Sequence, residues 1–183
     1  MGLLTVAKVA VENTAYSFDM LFEYSVPDSL CEDVLPGKRV LVRFGNSSKS
    51  RVGIVFSVQS GVSATKKLKA ISSVIDDEPL LTFEMLKTAN FIRDRYFCTY
   101  YEACKLILPL GLSMSVNTHY AVNIEYKGEI SDEKENEIFT YLNGKRNFTK
   151  SDKIVADCKL KSTSILDIMV EEGILLRNVD THR

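Results

Sequence analysis

The chain has no surplus of positive charge. Its 23 Lys and Arg face 24 Asp and Glu, for a formal net charge of −1, so it lacks the bulk basicity of many nucleic-acid binders and any phosphate site must be local. Cysteine is sparse. Cys31, Cys98, Cys104 and Cys158 show neither the close paired spacing that chelates zinc nor a secreted disulfide framework, which leaves buried reduced thiols. No apolar run approaches bilayer-spanning length, and Met1 to Lys8 turns polar too soon for a signal peptide. Gly2 fits a myristoylation start only loosely, because Ala7 follows where the pattern wants Ser or Thr near residue 6. The expected compartment is the cytoplasm, with no membrane partner. Catalytic signatures are missing too: there is no Walker-type glycine loop, no acidic box and no Gly-x-Ser-x-Gly elbow. His119 is read as part of a connecting stretch and His182 as part of a frayed terminus, so no catalytic or metal residue is expected.

What is present suffices for folding. With 45% hydrophobic and 26% charged residues over 183 positions, the chain can bury one large core or two small ones. Up to about Ile75 the apolar residues form short β-branched runs: Leu3 to Val11, Leu21 to Val26, Arg39 to Phe44, Val52 to Val58 and Leu68 to Ile75. Turn residues separate them, as at Pro36-Gly37 and Gly45-Asn46-Ser47-Ser48. Strands this closely spaced predict a small barrel or curled sheet.

From Thr82 the spacing becomes helical, with Leu86, Ala89, Ile92 and Tyr96 on one stripe behind a capping threonine. A second apolar segment, Ala103 to Leu108, ends at Pro109 and Gly111, which marks a domain end. Residues 117–128 read as irregular. Ser131 is placed as the cap of a helix stopped by Asn143-Gly144. Thr149 and Asp152 read as a capping box for a second helix, and Ser162 or Thr163 starts a third that runs to Glu172. A closing strand, Ile174 to Arg177, completes a pattern that fits a winged helix. The expected fold class is α+β: a β-barrel-like domain with C-terminal helices over residues 1–111, then a winged-helix domain over 112–183.

The segment from Val34 to Ile75 contains no Asp or Glu but holds Lys38, Arg39, Arg43, Lys49, Arg51, Lys66, Lys67 and Lys69. It could form a positive face for phosphates. Equally, these could be solvated strand edges guarded against aggregation. Just upstream, Tyr16, Phe18, Phe22 and Tyr24 interleave with Asp19 and Glu23. Aromatic faces stack on unpaired bases and carboxylates accept hydrogen bonds from sugar hydroxyls, although core aromatics with two surface acids would read the same way. In the third helix, a core stripe of Ile165, Leu166, Ile168 and Met169 leaves Ser164, Asp167 and Glu171 outward. Acids there oppose entry into a DNA groove, which leaves the flanks Lys159, Lys161 and Arg177 for any contact.

The order of motifs resembles a known family. Phe22-Glu23-Tyr24-Ser25-Val26-Pro27, Pro36 through Gly45, Gly53-Ile54-Val55, Leu68-Lys69-Ala70-Ile71, Asp76 through Thr82, Tyr96 through Glu102 and Leu108-Pro109 look like the amino-terminal part of the primosomal protein N′ (PriA) family of replication-restart helicases. The likeness covers most of residues 1–111. Residues 112–183 match only in element order.

The resemblance implies a domain that holds the 3′ end of the nascent leading strand at stalled or branched forks, followed by a winged helix. It also implies a longer parent, of which this chain would be about the first quarter, with ATP, magnesium and zinc bound elsewhere and no cofactor in this segment. Partners implied are branched or 3′-ended DNA, single-strand DNA-binding protein and primosome loading proteins. The family's aromatic-acid-aromatic motif falls on Phe22, Glu23 and Tyr24, its tight-turn glycine on Gly45 and its basic residue on Lys69. Lys38, Arg43, Lys49, Arg51, Lys66 and Lys67 would add phosphate contacts. One departure is Glu23 where the family has Asp. Asp19 is its rival, and the spacing from Phe22 to Pro27 favours Glu23. The other functions the sequence admits are a winged-helix transcription regulator and a protein-interaction module.

Overall fold

Period-2 alternation builds the first half of the protein. The computed structural model describes residues 3–45, 50–63, 67–108, 116–145 and 147–181, which divide into two compact units. The first holds five strands: β1 (Leu3–Val11), β2 (Phe22–Val26), β3 (Arg39–Arg43), β4 (Ser50–Ser63) and β5 (Ile71–Val74), in the order β2-β1-β4-β3-β5. Ala7, Val9 and Val11 of β1 pack with Tyr24, Val26, Val40, Val42, Val55 and Ile71 in one core. Register shifts at Leu4/Val6 and Lys8/Val9 put irregularities into the β1–β4 ladder, and such bulges increase local twist and bend the strand. The sheet curls into an antiparallel half-barrel whose outer strands approach each other. Ser25 and Ala70 form an isolated parallel bridge, and the Ser25 amide donates to the Lys69 carbonyl at 2.9 Å.

Two helices complete this unit. α1 (Phe83–Arg95) is capped by Thr82, as the sequence suggested, and α2 (Tyr100–Ile107) opens with a capping box between Thr99 and Glu102. Gly37 is fixed by close approach as well as by its positive φ of 87°, since a Cβ there would lie 1.9 Å from the Leu81 carbonyl oxygen. The Gly37 carbonyl in turn accepts from the amides of Leu80 and Leu81.

The second unit runs β6 (Val116–Val122), α3 (Glu133–Asn143), β7 (Thr149–Lys150), α4 (Ser151–Asp157), α5 (Ser164–Glu171) and β8 (Leu175–Thr181). Its antiparallel sheet has the order β7-β6-β8. Tyr120, Ile138, Leu142, Ile154, Leu166, Met169, Ile174 and Leu175 form its core.

Several local expectations need correcting. Residues 116–122 are a strand, so His119 lies in β6 opposite Lys150 on one side and Asn178 on the other. Asp132, not Ser131, caps α3, accepting from the amides of Lys134 and Glu135. Thr149 belongs to β7, and α4 begins without a side-chain cap. Asp167 faces inward. It is buried, with Tyr120 Oη at 3.1 Å and Arg177 at 3.3 Å among the groups that donate to it, because a carboxylate supplied with donors is tolerated inside. Burial, and then the Asp167 charge, hold the Tyr120 phenol protonated well above its ordinary range. Arg177 is thus consumed within the fold. No helix among the described residues is long and apolar enough to cross a membrane.

Candidate nucleic-acid interface

Strand alternation decides what β2 offers to a ligand. Tyr24 and Val26 point into the core, while Glu23, the residue before Tyr24, is exposed and pairs across the ladder with exposed Lys8 of β1. Phe22 sits at the rim of the core, half-buried, with its ring edge-on to Phe44 at 4.7 Å. The Arg51 guanidinium lies over Phe44 at 4.9 Å, and its NH1 donates to the carbonyls of Glu12 and Asn13. Tyr24 is 3% exposed, and its hydroxyl donates to the Arg43 carbonyl at 3.1 Å. Burial pushes its phenol up to about 12, with Arg51 opposing the shift. The Tyr24 ring is therefore a core element rather than a stacking face.

A surface groove runs beside β2. Phe22, Glu23, Lys8, Leu68, Arg93 and Tyr100 line it, together with Asp19 and its neighbours. Asp19 is fully engaged. Its carboxylate accepts from Arg93 Nε at 3.1 Å and from the Tyr100 amide at 3.1 and 3.3 Å, and its side chain is 3% exposed. Glu23, with its exposed carboxylate, is the acid of the groove that remains presented to solvent.

Lys69 and Gly45 come together, 24 residues apart in sequence. Lys69 Nζ donates to the Gly45 carbonyl, and Gly45 has a φ of +61°, where a side chain would be strained. The lysine head is thereby held at the end of β3. Beside it, the Lys69 backbone pairs with β2, so the sheet's curl brings the motif strand and the basic residue to neighbouring positions.

The basic stretch is thinner than its composition. Arg39 is 4% exposed and clamped to Asp76, with NH2 to Oδ1 at 2.6 Å, Nε to both oxygens and the Arg39 amide to Oδ2 at 2.8 Å. Lys38 is 5% exposed, so burial removes it from the solvent face. Arg43 and Arg51 are half-buried, and Lys67 and Lys69 are exposed. Lys49 and Lys66 lie outside the described residues. Sequence reasoning passed over Lys8 and Arg93. Lys8 was detectable as the polar break between buried Ala7 and Val9, whereas Arg93 reaches the groove only through its tertiary pairing with Asp19. Among the described residues no cluster of three or more His, Cys, Asp or Glu could hold a metal ion.

Comparison with known proteins agrees with the motif order. The chain is 28% identical over 107 residues to replication restart protein PriA of Bacillus subtilis (strain 168), a match that covers 58% of this chain and 13% of that protein. It is 32% identical over 91 residues to the probable replication restart protein PriA of Mycobacterium tuberculosis (strain CDC 1551 / Oshkosh), covering 50% and 14%, with the same figures for the Mycobacterium bovis protein. The matched stretch thus spans only about a seventh of these relatives' length. The family model described as the 3′DNA-binding domain (3′BD) of PriA matches residues 8–109, more than half of the chain, and the protein belongs to that family.

Proposed function

We propose that this chain is a non-catalytic, DNA-structure-binding region of a replication-restart helicase, and that its first unit receives the 3′ end of a nascent leading strand. The observation that carries the reading is the exposed Glu23 carboxylate in the groove beside Phe22, while the rival Asp19 is spent on Arg93 and the Tyr100 amide. An ionised carboxylate accepts hydrogen bonds only, so it suits a terminal 3′-hydroxyl. Lys69, steadied by the Gly45 carbonyl, supplies a cation for the adjoining phosphate. The phenylalanine rim limits how far a nucleotide can enter, and Lys67, Arg43 and Arg51 add positive charge nearby.

The second unit, within a domain over residues 112–183, reads as a winged helix. The order β6-α3-β7-α4-α5-β8 with sheet order β7-β6-β8 supports this. ATP, magnesium and zinc belong to the remainder of a longer parent, and single-strand DNA-binding protein and primosome loading proteins are its partners.

The test is equilibrium binding of a 3′-tailed fork with a free hydroxyl against the same fork capped by a 3′-phosphate. The cap places negative charge before an acceptor-only group, so binding should fall for the wild type. Glu23→Gln should reduce that discrimination, by up to the roughly 1.5 to 3 kcal/mol of a hydrogen bond to a charged group. Equal affinity for both ends, or discrimination that survives Glu23→Gln intact, would sink the assignment.

A further inference from the structure

The connection between α1 and α2 presents Phe97, at 95% exposure the most open aromatic ring among the described residues. The ring is nonetheless ordered by its neighbours. Tyr16, at 47% exposure, lies 5.8 Å away with the ring planes 58° apart. The Arg93 guanidinium lies over Tyr16 at 5.8 Å and over Tyr100 at 5.0 Å, and Tyr100 meets Phe56 edge-on at 5.5 Å. Asp19 ties these segments together: its carboxylate and carbonyl accept from Arg93, and its amide donates to the Tyr16 carbonyl at 3.2 Å. Around Phe97 itself, the Cys98 amide donates to the Tyr96 carbonyl at 2.9 Å. A ring held in this way loses little freedom when something stacks on it.

Folding gives little reason for this ring, because a side chain left in water contributes almost none of the burial that stabilises a core. Isolated exposed rings are ordinary. Phe97 and Tyr16 instead touch, and they adjoin the groove beside β2, which Asp19, Arg93 and Tyr100 also line. Charge here is nearly balanced: Arg93 is paired with Asp19 and lies 3.7 Å from Asp94, while exposed Arg95 and Glu102 carry opposite signs. Such a surface has no surplus of cations for phosphates, but an aromatic face stacks on any base. A docking helix or strand would ask for a continuous apolar face, whereas the charged run Arg93-Asp94-Arg95 leads up to Tyr96 and Phe97.

We infer that Phe97, buttressed by Tyr16 and Arg93, is a stacking platform for an unpaired base of the DNA strand whose end enters the neighbouring groove. The inference rests on the strand-end reading for the position of that base, and not for the contact itself. Phe97→Ala should weaken binding of a single-stranded oligonucleotide by about 5- to 100-fold, the range of one base–aromatic stack. It should leave the slope of log K against log salt unchanged, since no charge is removed. Removing the bases that precede the 3′-terminal nucleotide, as abasic sites, should weaken the wild type and leave Phe97→Ala unaffected.

Two further variants separate a stacked base from an apolar contact, and the exposure of the position keeps them from disturbing the fold. Phe97→Trp should keep the affinity, and its indole, the only one in a chain without tryptophan, should be quenched as DNA saturates it. Phe97→Leu keeps apolar bulk without a π-face and should lose nearly as much as Ala. Wild-type affinity in the Ala or the Leu variant would overturn the proposal, the second by assigning the ring to an apolar protein partner, as would an indole unchanged at saturation. Discrimination between free and phosphate-capped 3′ ends reads Glu23 separately. Its absence with the indole still quenched would fault the strand-end reading alone, and its presence with an unchanged indole would fault the platform alone.

Discussion

Replacing Asp19 by Ala should destabilise the first unit, whereas replacing Glu23 by Ala should not. In the structure the Asp19 carboxylate joins three elements: it follows the 3-10 turn at Tyr16–Phe18, holds Arg93 of α1 at 3.1 Å and accepts from the first amide of α2. Removing it leaves the Tyr100 amide without its acceptor and takes the carboxylate from a guanidinium whose side chain is 26% exposed and which keeps its bond to the Asp19 backbone carbonyl. Each hydrogen bond to a charged group is worth about 1.5 to 3 kcal/mol. The half-solvated Arg93 recovers part of its share from water, so the net cost should be about 2 to 4 kcal/mol. Glu23 is exposed on a ladder position opposite Lys8, so its removal should cost no more than about 0.5 kcal/mol. Urea unfolding followed by circular dichroism measures the difference, and amide exchange at Tyr100 localises it. A cycle with Arg93→Ala should return a coupling of about 1 to 2 kcal/mol. If Asp19→Ala unfolds no earlier than Glu23→Ala, the division between a structural and a presented carboxylate is wrong.

Other consequences are equally direct. Arg39→Met should cost about 3 to 5 kcal/mol by stranding the buried Asp76 carboxylate, and adding Asp76→Leu should restore a large part of it, as read by urea midpoints; a double variant no better than the single one would contradict this. Burial pushes the Cys104 thiol up to about 12 from 9.0. Because the folded value is the higher one, the stability it confers is full below about pH 9 and is lost progressively as pH rises toward 12. Unfolding midpoints taken at pH 8, 9.5 and 10.5 (about one unit below to about 1.5 units above the unfolded thiol value) should fall more steeply for the wild type than for Cys104→Ala. Parallel curves would show that this thiol does not govern the alkaline limb.

The β-rich half was legible because its runs are short, β-branched and punctuated, and because period 2 puts Glu23 outside once Tyr24 and Val26 are inside. The strand at Val116–Val122 was missed because Asn117, Thr118 and His119 interrupt its apolar pattern; its strand character comes from pairing with β8. Asp167 misled for a related reason. Helical spacing assigned a polar residue to the outside, and two of its donors, Tyr120 and Arg177, lie 47 positions before it and 10 after it. The basic stretch was overcounted in the same way, since Asp76, which neutralises Arg39, follows 37 residues later. Composition records charges, but it cannot record which have found a partner.

A sheet that stops short of closing has two margins, and here each supplies one part of the candidate site: β2 carries Phe22 and Glu23, and the segment entering β5 carries Lys69. Between them runs a thin seam, the Ser25–Ala70 bridge and the bond from the Ser25 amide to the Lys69 carbonyl. A molecule that holds both margins acts as a clasp across that seam. Occupancy and curvature then become linked quantities: bound ligand favours the closed sheet by RT ln(1 + [L]/Kd), and a substitution that only loosens the seam weakens binding without touching any group that meets the ligand.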